Sequence, residues 1–590
     1  MKFSSLPSML AVRCGVRPDE ESYRYKKDGH WISVTWRQAQ AEIRHLALAF
    51  LDLGLKRGDK VCIMANTRRE WDIADRAVTS FGGITVGIYQ TLPADQAQYV
   101  AEHCEAKAAV VENQAQAEKL ASLNIPHVIV MDSDEADASL LRFADLTAPH
   151  EAREQTWGAA LDELSAALEN EDPATYVYTS GTTGPPKGAV LTHGNLLSEA
   201  QLLSENLQVR DSDTGISWLP LAHVFQRVCS NAALWSGLIT AYAESVEKLI
   251  DNLAEVRPTI FYGVPRIYEK AHAAITQRAD SGGAARRRIF QWSVGVGRRI
   301  SRLRQEKKVA PPLLRAQYFL ARTLVFNRVK KVFGGRVRVV FCAGAPVAAP
   351  VLEFFHAADL LTLEGYGATE TTAALTFNVE GAYKFGTVGK PFPGQEIKLA
   401  QDGEILVRGS LVFIGYFRDA EKTKAALSPE GWYATGDIGE LDEEGFLKIT
   451  DRKKDIIVTS GGKNIAPQNI ENALKQSPYI SQAMVCGDKR NFLTALVTLD
   501  ADALRPWAAA HHLTADDWPA LCRHDAVRSL LQAEIDAVNQ RLARFETIKR
   551  FRIVPDEFAV EGGELTPTLK VKRRVVNKRY CDLIDGMYDD

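Results

Sequence analysis

Residues 179–188 read TSGTTGPPKG, with ATYVY before them and AVLTHGN after. Small residues and glycines let backbone N–H groups close around phosphate oxygens, and the hydroxyls and Lys187 add further donors. The stretch does not fit G-x-x-x-x-G-K-[ST], because Pro186 precedes Lys187 and Gly188 follows it. Taken alone it is either a phosphate-binding loop or a flexible Gly/Thr connection.

The surrounding chain sets the loop in an alternating pattern. Residues 35–54 carry apolar side chains at helical spacing, with Thr35 placed to cap the start and Gly54 where a helix end wants a left-handed residue. VCIMAN (61–66), ITVGIY (84–89), AAVVE (108–112), HVIVM (127–131), TIFYGV (259–264) and VRVVFCAG (337–344) read as strands. Strands alternating with helices predict a mainly parallel sheet with helical crossovers. After residue 380, EIKLA, GEILVRG and GFLKIT predict a β-rich subdomain of short strands. After 451 the pattern is mixed, with helices expected near 468–475 and 524–544. The expected fold is therefore α/β. It has a large N-terminal domain (1–450) of mixed, mainly parallel sheets with flanking helices and the β-rich part, and a small α+β C-terminal domain (451–590).

The chain has 590 residues, enough for several cores, and its 46% apolar and 25% charged content is that of a globular protein. With 71 basic against 74 acidic residues, the net charge of -3 argues against a dedicated nucleic-acid binder. No apolar run reaches the ~18 residues of a membrane span. The best, 231–243, is short, carries Ser236 and Thr240, and reads as buried core. The N-terminus lacks a signal-peptide pattern. Eight scattered cysteines form no C-x-x-C pair, which predicts reduced thiols, a cytoplasmic location and no structural metal.

Further motifs follow in order: LPLAHVFQR (219–227), AGAP (343–346), EGYGATETT (364–372), WYATGD (432–437), TDRKKDIIVTSGGKNI (450–465) and ELTPTLKVKRR (564–574). With TSGTTGPPKG this set resembles the adenylate-forming superfamily of acyl-CoA synthetases, luciferases and adenylation domains. LPLAHVFQRV, VPRIYEK (264–270) and TPTLKVKRR are most similar to long-chain fatty acyl-CoA synthetases.

The resemblance implies ATP-dependent activation of a fatty acid to acyl-AMP, followed by transfer to CoA. Two anions must meet in the first step, so the site must supply positive charge and fix an in-line geometry. The resemblance makes Lys570 the catalytic lysine and Glu370 the Mg²⁺ carboxylate. It assigns Thr179, Ser180, Gly181, Thr182, Thr183, Gly184, Lys187 and Thr369 to the phosphates. Tyr366 would stack on adenine, with Gly344, Ala345 and Pro346 as the opposite wall and Glu364, Gly365 and Gly367 in the same nucleotide motif. Asp437 would accept both ribose hydroxyls and Arg452 would also reach the ribose. His223 is assigned to the acyl site, not to general-base catalysis. Val224, Phe225, Gly263, Val264 and Pro265 would line the acyl entrance, with Ala368, where many relatives carry a larger apolar residue, near the carboxyl. Gly461 and Gly462 would face the CoA side, and Lys454 would be the hinge of a mobile C-terminal domain. The expected cofactor is Mg²⁺ and the expected co-substrates are ATP and CoA. Two other readings are a fatty acyl-AMP ligase that loads a carrier protein and a catalytically dead lipid-binding scaffold. Retention of Lys570, Glu370, Asp437 and Arg452 argues against the scaffold.

Between Arg286 and Lys331 fourteen basic residues face a single acid, Glu306, with aromatic and aliphatic residues interleaved. Such helices suit an anionic membrane surface, here the inner face of a membrane, or form a solvated basic face packed on the main body.

Overall fold

The computed structural model describes residues 3–134, 136–179, 185–514, 516–560, 562–566 and 570–589. The first helix pattern is realised as Trp36–Asp52. Thr35 and Gln38 form a capping box at its start, and Gly54 takes a φ of +87° just beyond its end. The strands expected after it are Lys60–Met64, Ile84–Gly87, Ala106–Val111 and His127–Val130. Their apolar side chains are almost wholly buried, as befits strands covered on both faces by helices.

These strands belong to an eight-stranded sheet in the order Gly415–Tyr416, Lys187–Thr192, Pro173–Thr179, Ile84–Gly87, Lys60–Met64, Ala106–Val111, His127–Val130, Leu141–Arg142. Six strands, from Pro173–Thr179 to Leu141–Arg142, run parallel; the other two are antiparallel to their neighbours. A five-stranded sheet begins with the parallel strands Ile260–Gly263, Val339–Cys342 and Leu361–Tyr366. A third sheet joins Thr214–Ser217, Ile239–Tyr242, Glu21–Lys27 and His30–Thr35. The apolar run at 231–243 is the end of helix Val224–Ser236 and the strand Ile239–Tyr242. Among the described residues no helix is long and apolar enough to cross a membrane.

Packing divides the chain into two units. The first comprises Met1–Tyr268, Ala274–Lys398 and Leu406–Ala434, and the second Glu269–Ala273, Leu399–Ile405 and Thr435–Asp590. In the second unit the strands Ile480–Cys486, Leu493–Leu499 and Ile548–Val554 form a sheet, and every residue of the middle strand is buried. The helices Pro467–Leu474 and Asp525–Asn539 lie near the expected positions and contribute Ile470, Leu474, Val527, Leu531 and Ile535 to one core. The β-rich stretch appears as Glu396–Leu399, Glu404–Arg408, Tyr433–Leu441 and Leu447–Arg452.

A buried ion pair ties the first unit together. Arg227 Nε donates to Asp75 Oδ2 at 2.9 Å, its Nη2 reaches Oδ1, and its Nη1 reaches Thr175 Oγ1. The Thr175 hydroxyl in turn donates to Thr85 O at 2.7 Å. Helices Arg69–Ser80 and Val224–Ser236 are thus pinned to the central strands. Asp75→Ala should strand the guanidinium and lower unfolding stability by about 3–5 kcal/mol, read by urea denaturation. The double substitution Asp75→Leu with Arg227→Met should recover most of that loss.

Candidate active site

The strands that flank the glycine-rich stretch are neighbours in one sheet. Strands Pro173–Thr179 and Lys187–Thr192 pair antiparallel, with Thr179 opposite Lys187. Ser180, Gly181, Thr182, Thr183 and Gly184 lie outside the described residues. The neighbouring strand Gly415–Tyr416 pairs Tyr416 with Ala189 and brings its ring beside the hairpin. Lys187 Nζ sits 4.9 Å from the Tyr416 ring centroid, and the Tyr416 hydroxyl donates to Glu370 Oε1 at 2.8 Å. Burial and the adjacent Glu370 carboxylate push the Tyr416 phenol well up, so it stays a protonated donor. One ring therefore links the phosphate-loop lysine to the candidate metal carboxylate.

The second cluster forms where three parallel strands end side by side. Gly263, Cys342 and Glu364 are in register, so the segments 264–265, 343–346 and 367–371 follow strands that end on the same side of the sheet. This is where α/β sheets bind ligands. Gly344 has φ +94°, and a Cβ on it would lie 3.9 Å from Val264 Cγ1. The buried Glu364 carboxylate accepts from Val347 N at 2.9 Å, tying the AGAP loop to the strand that leads to Tyr366. Burial raises its pKa to about 7 against the pull of that hydrogen bond. A Cβ on Gly367 would lie 1.6 Å from Ala373 O, so the fold of this loop requires glycine. The loop continues through a 3₁₀ turn, Thr369–Thr371, into Thr372 and Ala373, both at positive φ. Ala368 N donates to Thr371 Oγ1, and Ala374 N to the wholly buried Glu199, whose carboxyl burial pushes up.

His223 caps helix Val224–Ser236, its Nδ1 accepting from Phe225 N at 3.1 Å. An imidazole nitrogen engaged this way is a poor general base. Trp218 Nε1 donates to Tyr262 O at 2.8 Å and Gln226 Nε2 to Tyr262 Oη at 3.2 Å. These bonds tie the segment that carries His223, Val224 and Phe225 to the strand that ends at Gly263, so the two sets of acyl-entrance candidates lie on joined elements.

In the second unit Asp437 and Arg452 are register partners in one hairpin, with Arg452 Nε 3.3 Å from Asp437 Oδ1. Asp437 is buried while Arg452 is largely exposed. Lys570 is fixed through its backbone: its N–H donates to Thr566 Oγ1 at 3.0 Å and its carbonyl accepts from Thr566 N at 2.8 Å. The residue is exposed by area, but its ammonium is pushed down to about 8. Loss of solvent around the charge acts first and the Arg452 guanidinium second, with Asp437 opposing. Lys454 occupies an exposed turn in which Asp455 N donates to Arg452 O. Gly461 and Gly462 are exposed. Gly462 has φ +71° and open space where a side chain would stand.

Sequence reading missed Tyr416 and Glu199. Tyr416 lies in IGYFRD with no spacing that points to the loop, and Glu199 shows only as a carboxylate on a helix that is otherwise buried there. Among the described residues no group of three or more His, Cys, Asp or Glu could hold a metal. A lone carboxylate, Glu370, beside a phosphate loop is the donor set of a Mg²⁺ bound largely through substrate phosphates and water.

The fold is that of the adenylate-forming enzymes. The crystal structure of the anthranilate CoA ligase AuaEII in complex with anthranoyl-AMP superposes with a TM-score of 0.75 at 20% identity, covering 99% of both chains. O-succinylbenzoate coenzyme A synthetase (MenE) from Bacillus subtilis, in complex with ATP and magnesium ion, gives 0.67 at 20% identity over 96% of this chain and 98% of that one. The chain belongs to the AMP-binding enzyme family. The family profile matches residues 10–417 and that of the AMP-binding enzyme C-terminal domain residues 454–590. The long-chain-fatty-acid–CoA ligase FadD15 of Mycobacterium tuberculosis is 38% identical, over 97% of this chain and 95% of its own. The peroxisomal long chain acyl-CoA synthetase 7 of Arabidopsis thaliana is 34% identical, over 95% of this chain and 82% of its own.

Tyr416→Phe should keep the fold and weaken Mg²⁺-dependent ATP binding by roughly 10–100-fold, as loss of an outer-shell partner does. Calorimetric titration of ATP at graded Mg²⁺ checks it.

Proposed function

We propose that the chain is an AMP-forming long-chain fatty acid–CoA ligase. The carrying observation is 38% identity across 97% of the chain to a curated ligase of that kind, and the site residues above fit the chemistry. The fatty acid carboxylate attacks the α-phosphorus of ATP, pyrophosphate leaves, and acyl-AMP forms. The CoA thiol then attacks the acyl carbonyl and AMP leaves. The first step brings anion to anion, so Lys187 at the phosphate hairpin and Lys570 are assigned the neutralising charge. Glu370, oriented by Tyr416, would hold Mg²⁺, which when bound supplies further positive charge on the phosphates. Asp437 and Arg452 take the ribose, Tyr366 and the 344–346 loop the adenine, and the segments at His223 and Gly263 the acyl chain. Each buried CH₂ contributes about 0.8 kcal/mol, so an apolar channel is sufficient for a long acid.

The proposed division of labour places the hinge at Lys454 between domains 1–450 and 451–590. The C-terminal domain presents Lys570 in the first step and the Gly461–Gly462 turn to CoA in the second. The defining experiment is ATP- and CoA-dependent formation of long-chain acyl-CoA with release of AMP and pyrophosphate. Acyl-AMP made without consumption of CoA would point instead to a carrier-loading ligase.

Lys570→Ala should abolish acyl-AMP formation and largely spare thioester formation from supplied acyl-AMP. Equal loss of both steps in a folded variant would falsify the role. Because the Lys570 pKa is lowered to about 8, its charge is present at neutral pH and lost as pH rises through that value. Acyl-AMP formation should therefore decline on the alkaline side of about pH 8, and Lys570→Arg should shift that limb upward. Lys454→Pro, which locks φ near about -65°, should spare one half-reaction and stop the other. Unchanged overall turnover would show that residue 454 is not the hinge.

A further inference from the structure

Helix Ala94–His103 carries none of the site motifs, yet two of its side chains end on the strands that flank Lys187. The Tyr99 hydroxyl donates to Pro186 O at 3.3 Å, one residue before the lysine. His103 Nδ1 lies 2.7 Å from the Tyr178 hydroxyl, and Tyr178 is the register partner of Gly188, one residue after the lysine. Tyr99 and His103 are four residues apart, so they share a helix face, and their rings stack with centroids 5.4 Å apart. One turn of one helix thus grips both sides of the lysine.

The protonation states suit this grip. Burial pushes the Tyr178 phenol far up, so it keeps its proton and donates. Burial first and the Arg418 charge second push the His103 imidazole down, with Asp419 opposing and Lys422 assisting. The imidazole is therefore neutral at neutral pH, and its Nδ1 accepts. Arg418 is itself paired with Glu105 at 2.7 Å.

Phe417 closes the cluster. Its ring stacks on Tyr176 with centroids 4.6 Å apart and meets the His103 ring edge-on at 5.7 Å. Its N–H donates to Gly188 O at 2.8 Å. The residue before it is Tyr416, whose ring lies beside Lys187 Nζ. Tyr178 also packs directly on Gly188, where a Cβ would stand 3.1 Å from Tyr178 Cζ. The lysine is thus held by its side chain at Tyr416 and by its backbone at Pro186 and Gly188. Aliphatic side chains would cover this part of the sheet equally well. The polar ends of Tyr99, His103 and Tyr178 add nothing to that cover; they specify where the strand ends stand.

We propose that Tyr99 and His103 are positioning residues for Lys187, fixing the backbone on both sides of it so that its ammonium meets the phosphates of ATP. The proposal rests on the ligase reading only in taking Lys187 as a phosphate contact. A lysine side chain loses many rotamers when it binds an anion, and a backbone fixed beforehand lessens what remains to be ordered. The gain appears as affinity for MgATP.

The test is calorimetric titration of MgATP into the full chain and its variants. Tyr99→Phe and His103→Leu should each weaken binding about three- to tenfold. His103→Asn, whose Oδ1 stands where Nδ1 does, should stay within about twofold of the wild type. A role in covering the sheet alone would give the reverse order, since leucine fills the site better than asparagine. In a Lys187→Ala background, His103→Leu should change the affinity by less than about twofold, because residues that act through one another are not additive. Should His103→Leu not fold, Tyr178→Phe removes the same hydrogen bond and keeps the ring, with the same outcomes expected. In turnover, KM for MgATP should rise by these factors, while KM for the fatty acid and thioester formation from supplied acyl-AMP stay at wild-type values. Unchanged MgATP affinity in Tyr99→Phe and His103→Leu, asparagine worse than leucine, or equal loss with and without Lys187 overturns the inference. A wild type that binds MgATP but forms no acyl-CoA would count against the ligase reading and leave the calorimetric result standing.

Discussion

The pairing of Arg227 with Asp75 is the constraint around which the first unit is arranged. Both side chains are nearly inaccessible to water. A buried ion pair contributes little net stability, because desolvation offsets most of the attraction. What it does is forbid alternatives: any packing that separates the two leaves an uncompensated charge in a dry core. The pair joins the helix that His223 caps to helix Arg69–Ser80. Through Thr175 it also joins the strand that runs into the phosphate loop. The segments proposed for the acyl chain and for the phosphates are therefore held in one register by a contact made away from both.

The same logic of obligatory contacts governs the loops at the sheet edge. Gly367 is fixed by the carbonyl of Ala373, and the Glu364 carboxylate fixes the turn after Pro346. Glu199 accepts the N–H that follows the positive-φ pair Thr372 and Ala373. Backbone held in such conformations persists only where the surroundings over-determine it. Here two buried carboxyls and one glycine close approach do so. Glu370 is then presented on a short, strained turn, with Tyr416 as its support from another strand.

Much of this was legible in the sequence, for identifiable reasons. The parallel strands announced themselves because they are buried on both faces and read as continuous apolar runs. Helix Trp36–Asp52 announced itself by its period and caps. AVLTHGN was harder, since as an apolar run it does not declare that it turns back antiparallel to its neighbour. The motif segments at 219–227, 259–264, 343–346 and 364–371 converge because their strands and helix are adjacent, which order along the chain does not reveal. Tyr416 was not legible at all: it is 46 residues from Glu370, and it is brought there by the pairing of Gly415–Tyr416 with Lys187–Thr192 and by the bond from Phe413 N to Glu370 O. For the basic segment, composition showed charge and apolar content but not which arginines are consumed internally. Arg304 looks like its neighbours in sequence and in space is half-buried and bonded to Asp359, Tyr318 and the His356 carbonyl.

The two units also differ in how they hold charge, and the difference bears on the proposed two-step chemistry. In the first unit Lys187 lies against an aromatic ring, and the carboxylate beside it is held by a phenol. In the second, loss of solvent first and the Arg452 charge second lower the Lys570 pKa, while Asp437 opposes them. An ammonium destabilised in this way gains most when an anion arrives, because the incoming phosphate or carboxylate relieves repulsion as well as supplying a partner. On the proposed reading, burial and the Arg452 charge thus favour a lysine that gains a partner when the anions of the first half-reaction arrive.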